Sequence, residues 1–226
     1  MFDRTINLIG QCNYHKLKES NILVLGVGGV GGYAIETLIR SGIENITIVD
    51  FDKIDISNIN RQIIASNDNV GNFKTDEWKK RILSINPNVN VNIINEKINS
   101  DNIELLFNDN YDFIIDACDT LVVKKLLIKL CKERNINLIT VCGMGKRIDP
   151  SKVKICDITD TSYDPLAKSL RKFVKDEHIR GKVPCVFSSE IPKCNSNDNV
   201  ISSMMMVPSV AGIIASSYVI DKIINT

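Results

Sequence analysis

Short apolar runs alternate with amphipathic ones through the first two thirds of the chain. Residues 21–25 (NILVL), 46–49, 89–94, 113–115 and 136–141 have strand length and strand composition. Residues 30–40, 73–85 and 121–134 carry apolar positions at helical spacing, and Pro87 stops the second of these just after Asn86. Buried strands separated by helices predict a doubly wound, Rossmann-like α/β fold around a mostly parallel sheet. After Gly143-Met144-Gly145 the pattern changes. Residues 152–158 read as one more strand, antiparallel to the rest, and 185–189 as a last short one. Residues 165–175 form a basic amphipathic helix. Residues 189–203 are polar, rich in asparagine and expected to be mobile. The apolar stretch 204–220 is interrupted by Pro208 and Gly212 and falls short of a membrane span, so it predicts a buried helix or a subunit interface.

Composition narrows the classes. The 226 residues include 44% hydrophobic and 24% charged side chains, enough for a folded core, which excludes wholesale disorder. A formal net charge of +1 excludes a global polycation but permits a local basic face. Cys12, Cys118, Cys131, Cys142, Cys156, Cys185 and Cys194 are odd in number and contain no Cys-x-x-Cys pair. Free thiols in a cytoplasmic protein are expected, with neither a disulfide framework nor a paired-ligand zinc site. The start, Met1-Phe2-Asp3-Arg4, lacks the apolar core of a signal peptide. Residues 1–226 read as a single domain: a helical arm (1–20), a nucleotide-binding core (21–145) and an appendage (146–226).

The candidate chemistry begins at Gly26-Val27-Gly28-Gly29-Val30-Gly31, between a predicted strand and a predicted helix. Glycines let the backbone approach phosphate, and a helix N-terminus offers free N–H groups and partial positive charge. Asp50, ending the second strand, is placed to hydrogen-bond ribose hydroxyls. The loop alone does not choose between NAD and ATP. Asp52, Asn58, Arg61 and Lys74 follow, and Asp116-Ala117-Cys118-Asp119 ends another strand on the same sheet edge. A dehydrogenase has no need of that cation cluster. Adenylation does, because attack on the α-phosphate builds charge on departing pyrophosphate, which an Arg and a Lys stabilise. Asp119 is the candidate Mg ligand, since Mg takes one or two carboxylates plus substrate oxygens.

These motifs resemble the ubiquitin-activating-like adenylyltransferases, the ThiF and MoeB superfamily. The matching elements are the glycine loop, Asp50-x-Asp52, Ser57-Asn58-x-Asn60-Arg61-Gln62, Lys74 and Asp116-x-x-Asp119. The resemblance implies Mg-ATP binding and activation of a carboxylate as an acyl-adenylate, with Asp50 on ribose, Arg61 and Lys74 on phosphates, and Asp119 on Mg. It also implies a homodimer in which Arg4, within Arg4-Thr5-x-x-Leu8-Ile9-Gly10, reaches the neighbouring subunit's ATP site.

Within the superfamily the chain is similar to the tRNA threonylcarbamoyladenosine dehydratase group. Late blocks carry that likeness: Asp149-Pro150-Ser151, Asp164-Pro165-Leu166-Ala167, Cys185-Val186-Phe187-Ser188-Ser189-Glu190 and Val207-Pro208-Ser209-Val210-Ala211-Gly212. The implied reaction activates the threonyl carboxylate of the modified adenosine beside the anticodon. A nucleophile within the same modification then closes a ring, with net loss of water. A tRNA enzyme needs local positive charge. Residues 166–182 carry Lys168, Arg171, Lys172, Lys175, Arg180 and Lys182 against Asp176 and Glu177, with Lys146, Arg147, Lys152 and Lys154 just before. The appendage is thus expected to bind tRNA and to dimerise. Cys185 matches a family cysteine, which leaves a cysteine desulfurase or sulfur-acceptor protein as a further partner; ring closure by a tethered nucleophile needs no enzyme thiol. Two rivals remain: an activator of the C-terminal glycine of a ubiquitin-like or sulfur-carrier protein, and a non-catalytic or NAD-binding protein of the same fold.

Overall fold

The computed structural model describes residues 1–193 and 202–225. Part of the asparagine-rich stretch, 194–201 with Cys194, lies outside the described residues. Helices α1 (Asp3–Ile9) and α2 (Gln11–Glu19) form the N-terminal arm, separated by Gly10 at φ +83°. The sheet follows: β1 (Asn21–Leu25), α3 (Gly31–Ser41), β2 (Asn45–Val49), α4 (Lys74–Ile85), β3 (Asn90–Ile94), β4 (Phe113–Asp116), α5 (Leu121–Arg134) and β5 (Asn137–Val141). Beyond it come β6 (Val153–Asp157), α6 (Pro165–Asp176), β7 (Pro184–Ser188) and α7 (Met206–Ile224).

The seven strands run in the order β3-β2-β1-β4-β5-β7-β6, all parallel except β6, which is antiparallel to β7. This is the doubly wound α/β sheet that the alternation predicts. β1 shows why its run is continuously apolar. Ile22 and Val24 join the core beneath α3, α4 and α7, whereas Leu23 and Leu25 join the core beneath α5 and α6. Both faces of a strand flanked by crossover helices are buried, so alternation gives way to an unbroken apolar run. The strand order reverses between β1 and β4, which opens a crevice at their carboxyl ends.

α7 is long and apolar enough to cross a membrane by composition, but half of it is buried against the rest of the chain. Val207, Ala211, Ala215 and Val219 are fully buried and belong to the same core as α3. Gly212 allows the contact: a Cβ there would lie 2.2 Å from the Val30 carbonyl oxygen. Ser216 Oγ donates to the Ala34 carbonyl at 3.0 Å. α7 is therefore a core helix that braces the first turn of α3, immediately behind the glycine loop. Between β2 and α4 the chain forms two 3-10 turns, Ile56–Asn58 and Asn67–Asn69, each closed by a reciprocal capping box led by Asp55 or Ser66.

Candidate active site

The glycine loop leaves β1 with Gly26 at φ +83°, its N–H donating to the Val49 carbonyl at 2.8 Å. A Cβ on Gly26 would meet the Ala117 carbonyl carbon and oxygen at 2.9 Å, and one on Gly31 would meet the Gly26 oxygen at 1.8 Å. The loop is thus folded back on itself and pressed against the turn after β4; only glycine fits at these two points. Gly28 and Gly29 face a different neighbour. A Cβ on Gly29 would lie 3.5 Å from the Arg61 carbonyl oxygen and 3.6 Å from Arg61 Cγ, and one on Gly28 would lie 3.5 Å from Gln62 Nε2. Two separate segments, around Arg61 and around Asp119, are therefore brought against the loop.

Asp50 ties the end of β2 to the same loop. Its Oδ2 accepts from the Val27 N–H and its Oδ1 from the Asp52 N–H, both at 2.9 Å. Burial pushes its carboxyl above the usual carboxylate value, opposed chiefly by the Lys74 charge. Each oxygen keeps a lone pair for a further donor such as a ribose hydroxyl. Lys74, the first residue of α4, is buried, yet its Nζ is 2.7 Å from Asp52 Oδ2, and its N–H donates to the Asp52 carbonyl. The Asp52 side chain remains 47% exposed, so the ion pair faces solvent on one side.

Arg61 is half-buried, its Nη1 donating to the Ser57 carbonyl at 2.7 Å and to Asn60 Oδ1 at 2.8 Å. Asn58 is buried and spends its side-chain oxygen on the Asp55 N–H, a cap that shapes the segment from within. Gln62 was singled out by the sequence only as part of Asn60-Arg61-Gln62. It is buried behind Gly28, and its Oε1 has no hydrogen-bond partner among the described residues.

The turn after β4 rests on a buried ion pair that sequence reading missed. Lys124 and Asp116 are both fully buried, with Lys124 Nζ 3.0 Å from Asp116 Oδ2. Lys124 also donates to the Asp116 carbonyl and to Thr140 Oγ1, and Thr140 in turn donates to Asp116 Oδ2 at 2.6 Å. Burial alone would lower the Lys124 ammonium; the Asp116 charge and hydrogen bond outweigh it and push the value up. Cys118 donates its thiol to Asp116 Oδ1 and is raised beyond the ordinary thiol range by burial and that carboxylate, which makes it a packed residue. Asp119 is exposed just beyond, free of ion pairs among the described residues. No group of three or more His, Cys, Asp or Glu that could hold a metal occurs among the described residues.

The appendage reaches the same edge. The Lys146 N–H donates to the Ser202 carbonyl at 2.7 Å, and Asn60 Nδ2 donates to the Ser203 carbonyl at 2.9 Å. The loop after β5, residues 202–203 and the Arg61 segment thus form one continuous rim. On α6, Ala167, Leu170 and Val174 are buried, leaving Lys168, Lys172 and Lys175 exposed. Arg147 is corrected from the basic face to the interior. It is 3% exposed and bonds the Gly143, Gly145, Tyr163 and Glu190 carbonyls and Asp164. Cys185 is fully buried on β7, its sulfur 3.8 Å from Cys156 Sγ; the hydrogen bond with Cys142 and burial raise its thiol strongly. Arg4 lies on α1, which buries none of its residues, and Arg4 makes no hydrogen bond or ion pair among the described residues.

A family model described as the ThiF family matches residues 2–224. A Bacillus subtilis protein named tRNA threonylcarbamoyladenosine dehydratase is 39% identical over 240 residues, covering 99% of this chain and 94% of its own length. Crystal structures of Escherichia coli tRNA N6-threonylcarbamoyladenosine dehydratase, TcdA, in complex with ATP and with AMP superpose with TM-scores of 0.93 and 0.92 at 35% identity. They cover 99% and 98% of this chain and 93% of that one. An adenylyltransferase and sulfurtransferase of Scheffersomyces stipitis is 43% identical over 137 residues, but this covers 59% of this chain and 30% of that protein. The chain belongs to the ThiF family.

Proposed function

We propose that the chain is an ATP-dependent tRNA threonylcarbamoyladenosine dehydratase. The observation that carries this reading is the extent of the likeness: the named dehydratases match it from end to end, through β6, α6, β7 and α7, whereas the sulfur-transferring adenylyltransferase matches 59% of it. Proteins that share only the nucleotide core would not share the appendage.

The carboxylate of the modified adenosine attacks the α-phosphorus of ATP, and pyrophosphate leaves. Asp50 accepts ribose hydroxyls at the end of β2, with Asp52 beside it, while the backbone of Gly26, Gly28, Gly29 and Gly31 admits the phosphates. Arg61, packed against Gly29, and Lys74, held at the start of α4, meet the charge that develops on the leaving group. Asn58 supports this by capping the segment that presents Arg61. When Mg accompanies the nucleotide it neutralises phosphate oxygens, and Asp119 is the residue that would hold it. An exposed single carboxylate at this edge suits an ion whose other ligands are phosphate oxygens and water. A tethered nucleophile in the modification then displaces AMP and closes the ring.

We place tRNA on the appendage, residues 146–226, along the exposed lysines of α6, and we infer a cytoplasmic homodimer in which Arg4 completes the partner's site. α1 supports the latter: Leu8 is 84% exposed beside an uncommitted Arg4. Cys185, buried among other thiols, lends no support to a sulfur-acceptor role or to a cysteine desulfurase partner. The test is ATP–pyrophosphate exchange. Exchange that requires threonylcarbamoyladenosine-bearing tRNA supports the reading. Exchange that requires a protein with a free C-terminal glycine, and ignores tRNA, overturns it in favour of a protein activator.

A further inference from the structure

Tyr163 sits in the left-handed region at φ +52°, a conformation that an aromatic side chain adopts only when its surroundings impose it. The imposing contacts are plain. Its carbonyl accepts from buried Arg147 Nη2 at 3.1 Å, and the next residue, Asp164, is 5% exposed. Asp164 Oδ1 caps α6 through the Ala167 N–H at 2.7 Å, and its Oδ2 lies 3.0 Å from where a Cβ on Gly143 would be. The backbone of Tyr163 is therefore clamped between the end of β5 and the start of α6. Its ring is not: the residue is 59% exposed, and its hydroxyl makes no hydrogen bond among the described residues. A strained backbone thus holds a large aromatic ring mostly out to solvent, an arrangement that burial of the ring does not explain.

Its position explains the arrangement. Arg147, which holds its carbonyl, directly follows Lys146, where the rim begins that runs through residues 202–203 to Asn60 and Arg61. On the other side is α6, which starts two residues later and presents Lys168, Lys172 and Lys175. An RNA backbone lying on those lysines would bring a splayed base over Tyr163, between the basic helix and the nucleotide edge. Single-stranded bases in RNA loops are held by aromatic stacking, with lysines on the backbone. We propose that Tyr163 is the stacking platform for the nucleobase that carries the reacting carboxylate, and that it aims this base at the adenylation site. The proposal rests on the tRNA reading above and adds the residue that orients the substrate.

The test measures binding of anticodon stem-loop RNAs that carry threonylcarbamoyladenosine or an abasic site at the same position. Wild type should prefer the base-bearing RNA by roughly 5- to 150-fold, the worth of one base–aromatic stack. Tyr163→Phe should keep that preference. Tyr163→Ala should lose most of it, with a raised KM for RNA and an unchanged Kd for ATP. Tyr163→Ala that discriminates like wild type, or Tyr163→Phe that fails as badly as Tyr163→Ala, overturns the stacking role. Wild type that binds neither stem-loop better than an unrelated RNA hairpin overturns the tRNA reading itself, and this role with it.

Discussion

Lys124→Met removes the ammonium from a site that is closed to solvent on every side. Lys124 and Asp116 are each 0% exposed, and their 3.0 Å contact is the sole ion pair available to Asp116 among the described residues. Methionine fills much of the lysine volume, so the dominant change is electrostatic. The Asp116 carboxylate would keep only the Thr140 hydroxyl and the weak Cys118 donors. Breaking a buried pair from one side costs about 3–5 kcal/mol. For a chain of this size each kcal/mol lowers the midpoint by about 2–4 °C, which predicts a fall of roughly 6–20 °C. The damage should also reach function, because the turn that Asp116 begins packs on Gly26 and carries Asp119. ATP affinity, measured by calorimetry, should fall along with stability. Lys124→Met combined with Asp116→Asn should recover most of the loss, since no charge is then left buried. A single variant within about 1 kcal/mol of wild type would refute the reasoning, as would a double variant no more stable than the single one.

Three other outcomes follow from the site and its supports. Arg61→Ala and Lys74→Ala should each slow pyrophosphate exchange by roughly 10²- to 10³-fold, the typical cost of losing one donor to a developing anion, with a smaller change in ATP affinity. Arg4→Ala and Arg61→Ala proteins, each inactive alone, should regain roughly a quarter of wild-type activity when mixed and reassembled, because half the dimers then hold one complete composite site. Glu36 accepts from Arg81 and Arg40; although burial raises its carboxyl, those bonds outweigh it and hold it below the ordinary 4.5. A depressed acid contributes stability that is present above its unfolded value and lost as pH falls through its folded one. Urea midpoints of wild type should therefore fall relative to Glu36→Gln as pH drops below 4.5, and parallel curves would contradict this.

The sequence carries the fold and the nucleotide loop clearly, because both are local. Strand–helix alternation, the glycines and Asp50 lie within contiguous stretches whose spacing has one structural meaning. The candidate site residues around them are named by the motif they share, whereas the capping role of Asn58 is visible only in its bond to Asp55. What stayed hidden depends on partners distant in the chain. Arg147 reads as a surface cation until Asp164 and four carbonyls enclose it, and Lys124 reads as a polar intrusion in an apolar helix until β4 and β5 supply Asp116 and Thr140. The insertion of β7 between β5 and β6 is likewise a matter of pairing between strands that are not neighbours in sequence. The strain at Tyr163 is set by Arg147 and Gly143, and nothing in Ser162-Tyr163-Asp164 announces it.

The central claim is tested most directly by mass spectrometry of nucleosides from threonylcarbamoyladenosine-bearing tRNA incubated with the protein and Mg-ATP. Mild digestion is required, because a cyclised product can reopen by hydrolysis. The account predicts a nucleoside lighter by one water, absent without ATP and absent with Arg61→Ala. Unchanged nucleoside from a protein shown to bind ATP would contradict it.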